Sequence, residues 1–209
     1  MEIAVLLYDG FTALDCVGPY DVLSRMFGAN VVFVAEQRGE VRTETKMLGI
    51  TADASIDEIT KPEMLLIPGG FGTRPLMTHE PLLDWIREVH EHTTWTTSVC
   101  TGSLLLGAAG LLDGLDATTH WASTELLEST GARYTEQRVV KQGKIVTAAG
   151  VSAGIDMALF LLQEIVGDDF AKMIQLSIEY DPQPPFDCGS PSKAPKEMVE
   201  MLRGFMAGK

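Results

Sequence analysis

Five short runs of almost uninterrupted apolar or β-favouring residues recur along the chain, at 3–8, 31–35, 64–67, 95–99 and 145–149. Hydrophobicity that is continuous rather than alternating marks strands covered on both faces, as in a parallel sheet held between helix layers. Helical stretches lie between these runs, at 20–26, 81–92, 101–109, 122–129 and 152–166. The alternation predicts an α/β fold: a three-layer α/β/α sandwich around a doubly wound, mostly parallel sheet. In such folds sites gather at the carboxyl ends of the strands.

Other segments fall around this frame. The 152–166 helix is apolar nearly all round, through Ile155, Met157, Leu159, Phe160, Leu161 and Leu162, so it belongs either in the middle of the sandwich or in a subunit interface. Residues 41–44 and 139–142 predict a peripheral hairpin or edge strands. Asp181-Pro182-Gln183-Pro184-Pro185-Phe186 cannot be helix interior, because proline removes a donor and clashes with the preceding turn. It predicts an extended surface segment before a last helix at 195–206. With no internal repeat or low-complexity linker, residues 1–209 are expected to form one domain.

Charge narrows the partners. Sixteen basic against 29 acidic side chains leave a net charge of -13, which repels phosphate backbones and anionic lipid, so neither nucleic acid nor a membrane surface is expected as a partner. Three cysteines, with no Cys-x-x-Cys pair and no Cys/His metal spacing, do not form a secreted disulfide framework. The N-terminus shows no basic region followed by a cleavage site, and no apolar run reaches membrane-spanning length. A reducing cytoplasm with free thiols is the expectation.

One cysteine stands out. The 95–99 strand ends at Ser98-Val99, a helix begins after Thr101-Gly102, and Cys100 sits at the junction. Small residues two before and two after a nucleophile are what a nucleophile elbow needs, because the turn leaves no room for larger side chains. The geometry also places the thiol at a helix N-terminus, where backbone N–H groups favour a thiolate. The 64–67 strand ends similarly in Pro68-Gly69-Gly70. Its Gly70 N–H, together with that of Thr101, is a candidate oxyanion hole facing Cys100.

These segments resemble the ThiJ/PfpI superfamily, relatives of the class I glutamine amidotransferase domain, through Leu66-Ile67-Pro68-Gly69-Gly70 and Ser98-Val99-Cys100-Thr101-Gly102. Leu14-Asp15-Cys16-Val17-Gly18-Pro19-Tyr20, Ala117-Thr118-Thr119-His120-Trp121 and the stretch from Glu179 to Pro191 are similar to the branch that contains isocyanide (isonitrile) hydratases. The resemblance implies a flavodoxin-like fold, a homodimer, and neither metal nor organic cofactor. It also implies a small-molecule isocyanide as substrate, hydrated to an N-substituted formamide through a thioimidate on Cys100, with Asp15 handling protons. The chemistry agrees. The terminal carbon of an isocyanide is a poor electrophile until it is protonated, so a thiol beside a protonatable carboxyl suits it. In a cleft beside a thiolate, burial and like charge would raise the pKa of Asp15.

Relatives acting as proteases or deglycases carry a histidine directly after the cysteine; Thr101 occupies that position here, which argues against those activities and offers a hydroxyl to substrate instead. His120 is the histidine able to approach Cys100, as a substrate-binding group or as a structural residue of its loop. His90 and His92, two apart on a helix, diverge, cannot share a metal and are expected to be solvated. Cys16 suits apolar packing, and Cys188 is assigned no role. Trp121, Phe186 and Ile155 are candidates for an apolar substrate pocket. Two other functions compete: a different cysteine-dependent hydrolase or lyase, which would need His120, and a thiol-based redox or ligand sensor acting through a protein partner, with Cys100 oxidised to the sulfinic acid.

Overall fold

The computed structural model describes residues 1–207. In chain order the elements are β1 (Glu2–Leu6), α1 (Ala13–Leu23), β2 (Asn30–Ala35), β3 (Gly39–Arg42), β4 (Gly49–Ala52), β5 (Ala54–Ser55), β6 (Met64–Ile67), α2 (Thr73–Leu76), α3 (Glu80–His92), β7 (Trp95–Val99), α4 (Gly102–Ala108), β8 (Asp116–Ala117), α5 (Thr124–Glu128), β9 (Arg133–Tyr134), β10 (Val139–Gln142), β11 (Ile145–Ala148), α6 (Ala153–Val166), α7 (Asp168–Ser177) and α8 (Lys196–Ala207). Seven strands form one sheet in the order β10-β11-β7-β6-β1-β2-β5, parallel throughout except for the antiparallel edge pair β10–β11. Helices flank it: α1 packs on α6, which also contacts β7 and β11, while α4 lies on β6 and β7 beside α3.

The expected sandwich is therefore present, and the reason is visible in burial. All four residues of β6 and of β11 are buried, as are the last four of β1 and of β7. Strands of this kind must have helices on both faces. The chain passes from β1 to β2 on one side and returns to β6 on the other, so the order reverses between β1 and β6. At such a switch point the loops at the strand ends diverge and leave a crevice.

Helix α1 starts earlier than its sequence suggests. Gly18-Pro19 predicts a break with a helix only from Tyr20, yet α1 runs from Ala13 with Pro19 inside it. The helix gains close packing in return. Gly18 lies tightly against Ile155, and Gly154 of α6 lies against Pro19 and Val99, so a side chain at either glycine would push these neighbours apart. Tertiary contact outweighs the lost hydrogen bond. Helix α7 was not anticipated, although Gly167 (φ 93°) ends α6 and Asp168 and Asp169 open the next helix. Segment 41–44 belongs partly to a separate hairpin, β3–β4, and 139–142 is the antiparallel edge strand. Among the described residues no helix is long and apolar enough to cross a membrane.

Candidate active site

Four strand ends build the site. The β7–α4 junction holds Cys100 at φ 56°, a left-handed conformation rare for a residue with a side chain. The strain is over-determined by its surroundings. The Cys100 N–H donates to the carbonyls of Ala148 and Ala149, each at 3.0 Å, while its own carbonyl accepts from Ser103 Oγ (3.1 Å) and Thr119 Oγ1 (3.0 Å). Two residues on, a Cβ at Gly102 would overlap the Ile67 carbonyl oxygen. Gly102→Ala is accordingly expected to cost about 3 kcal/mol through overpacking against rigid backbone. Thermal denaturation should show it as a melting temperature lower by roughly 6–12 °C; an unchanged melting temperature would mean that the elbow can relax.

Asp15, in the first turn of α1 after β1, is completely buried. Its Oδ2 accepts from the Gly69 N–H at 2.9 Å, and its Oδ1 is buried with no hydrogen-bond partner among the described residues. Gly69 is the hub: a Cβ placed there would lie 2.6 Å from the Thr101 nitrogen, 2.8 Å from Asp15 Oδ2 and 2.8 Å from Cys100 Cβ. Only glycine lets carboxyl, thiol and helix N-terminus converge this closely.

Electrostatics follow from that burial. Desolvation pushes the Asp15 carboxyl up to about 7; the Gly69 N–H and the Cys100 thiol pull against it, and the Glu44 carboxylate adds to it. Burial, with the Asp15 charge alongside, also holds the Cys100 thiol well above its ordinary value. Opposing this, the backbone N–H groups of Val151 and Thr101 hydrogen-bond the sulfur and favour its thiolate. Cys16, packed in the core beside Asp15, is raised by burial to about 12.

The expected oxyanion pair needs correction. The Gly70 N–H donates to Thr101 Oγ1 (2.9 Å), and that hydroxyl donates back to the Gly70 carbonyl (3.1 Å). Gly70 and the Thr101 side chain thus brace two loops against each other, and the Gly70 N–H is engaged in that brace. The donor that joins the Thr101 N–H at the sulfur is Val151, after β11, held at φ 35°. Positive φ in a β-branched residue is a true outlier, and nothing in the local sequence signals it; the adjacent Gly150 is the nearest hint.

Cys100 opens into a cavity of about 90 Å³ walled by Thr12, Glu44, Phe71, Arg74, His120 and Met206 besides the loop residues. His120 does reach the site. Its Nδ1 accepts from the Ala122 N–H (3.2 Å), which leaves Nε2 to carry the proton of the neutral ring. Burial, then the nearby Arg74 charge, keep that ring neutral by lowering its pKa. Trp121, Phe186 and Ile155 do not line this cavity: Phe186 is exposed, Ile155 packs on Gly18, and Trp121 borders a neighbouring space of about 510 Å³ behind His120. His90 is not simply solvated, since its half-buried Nδ1 hydrogen-bonds Thr96 Oγ1 at 2.8 Å. Among the described residues no three histidine, cysteine or acidic side chains converge to hold a metal.

Known proteins resemble this chain to different degrees. An isonitrile hydratase from Pseudomonas putida is 44% identical over 203 residues, 97% of this chain and 89% of that protein. A crystal structure of a ThiJ/PfpI family protein from Pseudomonas syringae superimposes with a TM-score of 0.95 at 36% identity, over 99% of this chain and 86% of its own. An HTH-type transcriptional regulator, CdhR, from Pseudomonas aeruginosa is 27% identical over 84% of this chain, which spans only 53% of the regulator. The DJ-1/PfpI family profile matches residues 1–164, a span containing every strand of the main sheet together with Asp15, Cys100 and Val151. This chain belongs to the DJ-1/PfpI family.

Proposed function

We propose that this protein is an isocyanide hydratase that converts R–N≡C and water into the formamide R–NH–CHO, with Cys100 as nucleophile. The observation that carries the reading is a carboxyl, Asp15, fully buried and converging with the thiol at Gly69, where desolvation pushes its pKa up to about 7. Identity of 44% with an isonitrile hydratase over nearly the full length supports it.

Asp15 gives its proton to the terminal carbon as sulfur bonds to it and takes up the thiol proton in exchange, giving the thioimidate R–N=CH–S–Cys100. The Val151 and Thr101 N–H groups hold the sulfur's negative charge as it develops. Asp15 then protonates the nitrogen and, now a carboxylate, takes a proton from water as the water oxygen adds to the thioimidate carbon. The C–S bond then breaks, the carbonyl forms, and sulfur recovers its proton. Asp15 is acid first and base afterwards. Thr101 acts through its backbone N–H and as a loop brace, and Gly70 as the partner of that brace. His120 contributes a neutral wall with one N–H donor.

The chain works as one domain in a homodimer in the cytoplasm, without metal or organic cofactor. Leu14, Val17 and Tyr20, spaced three apart and partly exposed on α1, supply an apolar stripe of the kind that subunits bury.

Turnover of an aryl isocyanide, followed as formamide by mass spectrometry over pH 5–9, tests the reading. The value of kcat/KM is expected to be level at low pH and to descend through an apparent pKa of about 7, because the first step needs Asp15 protonated. Absence of formamide from several isocyanides would overturn the assignment. A profile that climbs through pH 7 would remove Asp15 as the acid.

A further inference from the structure

The thiol cavity is small. At about 90 Å³ it receives the isocyano group and the nearer atoms of R, in roughly six to nine water positions. The rest of R must leave it, and the walls show where. Arg74 and Met206 line this cavity and also a second, outer one of about 360 Å³, which is completed by Ala122, Ser123, Glu125, Leu126 and Ser129. Arg74 and Met206 therefore stand at the border between the thiol and an outer groove.

The polar groups on this route are specific. The Arg74 guanidinium lies 5.0 Å over the Phe71 ring and is half buried, and no carboxylate among the described residues forms an ion pair with it. Ser123 is 4% exposed, and its hydroxyl has no hydrogen-bond partner among the described residues. An unpaired cation and an unpartnered hydroxyl on one groove match an anionic oxygen group. Two acidic side chains oppose it. Glu125 is exposed, so water screens it, and Glu44, which lines the thiol cavity with Arg74, is engaged at its Oε2 by the Thr12 hydroxyl at 3.1 Å.

We infer that the Arg74–Ser123 groove receives the R group and selects isocyanides that carry a carboxylate, held by the Arg74 guanidinium and the Ser123 hydroxyl. The inference builds on the hydratase reading but has a readout independent of it. An ω-isocyano carboxylate with a four-carbon chain and its methyl ester are compared by kcat/KM in wild type, Arg74→Gln and Arg74→Lys. Wild type is expected to prefer the acid, the acid-to-ester ratio to fall on the order of tenfold in Arg74→Gln, and Arg74→Lys to recover part of it. In parallel, alkylation of Cys100 by iodoacetate is measured against iodoacetamide, a ratio that should fall in the same variant. A ratio that Arg74→Gln leaves unmoved in both assays overturns the inference. If wild type hydrates no isocyanide at all, the hydratase reading fails by itself, and the alkylation ratio alone then upholds or overturns anion recognition at Arg74.

Discussion

Replacing Cys100 by alanine is expected to abolish formamide production, by at least about a thousandfold, while leaving the fold intact. No other thiol can substitute: Cys16 is sealed in the core, and Cys188 lies in the segment before α8. The lost sulfur is small, and the residue's backbone bonds to Ala148, Ala149, Ser103 and Thr119 do not involve its side chain. Stability should therefore change by about 1 kcal/mol or less. Cys100→Ser is expected to be nearly as inactive, since a hydroxyl is far less acidic and less nucleophilic than a thiol and a protonated Asp15 cannot activate it as a base. The measurement is formamide yield set beside a melting curve. Residual turnover above a hundredth of wild type would mean that the covalent step is not obligatory.

Asp15→Asn carries the second large effect, and it has two opposite parts. Without a proton to give, the thioimidate cannot form efficiently, so kcat/KM should drop at least a hundredfold. Stability should move the other way above neutrality. The folded state raises the carboxyl's pKa from 3.8 to about 7, so the folded protein holds that proton more tightly than the unfolded chain does. Between those values the unfolded state ionises and the folded state does not, and wild-type stability is lost as pH rises through about 7. The full loss is on the order of 4 kcal/mol. Asparagine has no charge to desolvate, and its amide can still accept from the Gly69 N–H. The variant should match wild type near pH 4 and exceed it by several degrees of melting temperature at pH 8. A wild-type curve as flat with pH as that of Asp15→Asn would show that the carboxylate is better solvated than its burial implies.

The parts of this molecule that were legible in sequence are those where one physical demand dominates. Residues 64–67 and 95–99 read correctly as strands because burial on both faces favours apolar and β-branched side chains there. Cys100 was legible because Ser98 and Gly102 are spaced for a sharp turn. Asp15 was identified but placed in a loop, since Gly18-Pro19 speaks against helix locally and only the contact with Gly154 across α6 reverses that preference. The anion-holding N–H was assigned to Gly70 because glycine advertises backbone freedom, whereas the structure uses Val151, whose strain is paid for by tertiary packing and leaves no mark on residue type. The pocket walls were least legible of all. Phe71 and Arg74 come from one segment after β6 and Met206 from the last helix, and their convergence is a property of the fold alone.

Met206 has a consequence for how such an enzyme can change. The elbow, the carboxyl and the sulfur-holding N–H groups all lie within residues 1–164, whereas Met206 enters from the last helix, outside that span. One wall of the substrate route is thus carried on a different stretch of polypeptide from the reactive groups. Grafting a different terminal helix onto the same body would re-address the catalyst to new substrates while its reaction stayed the same.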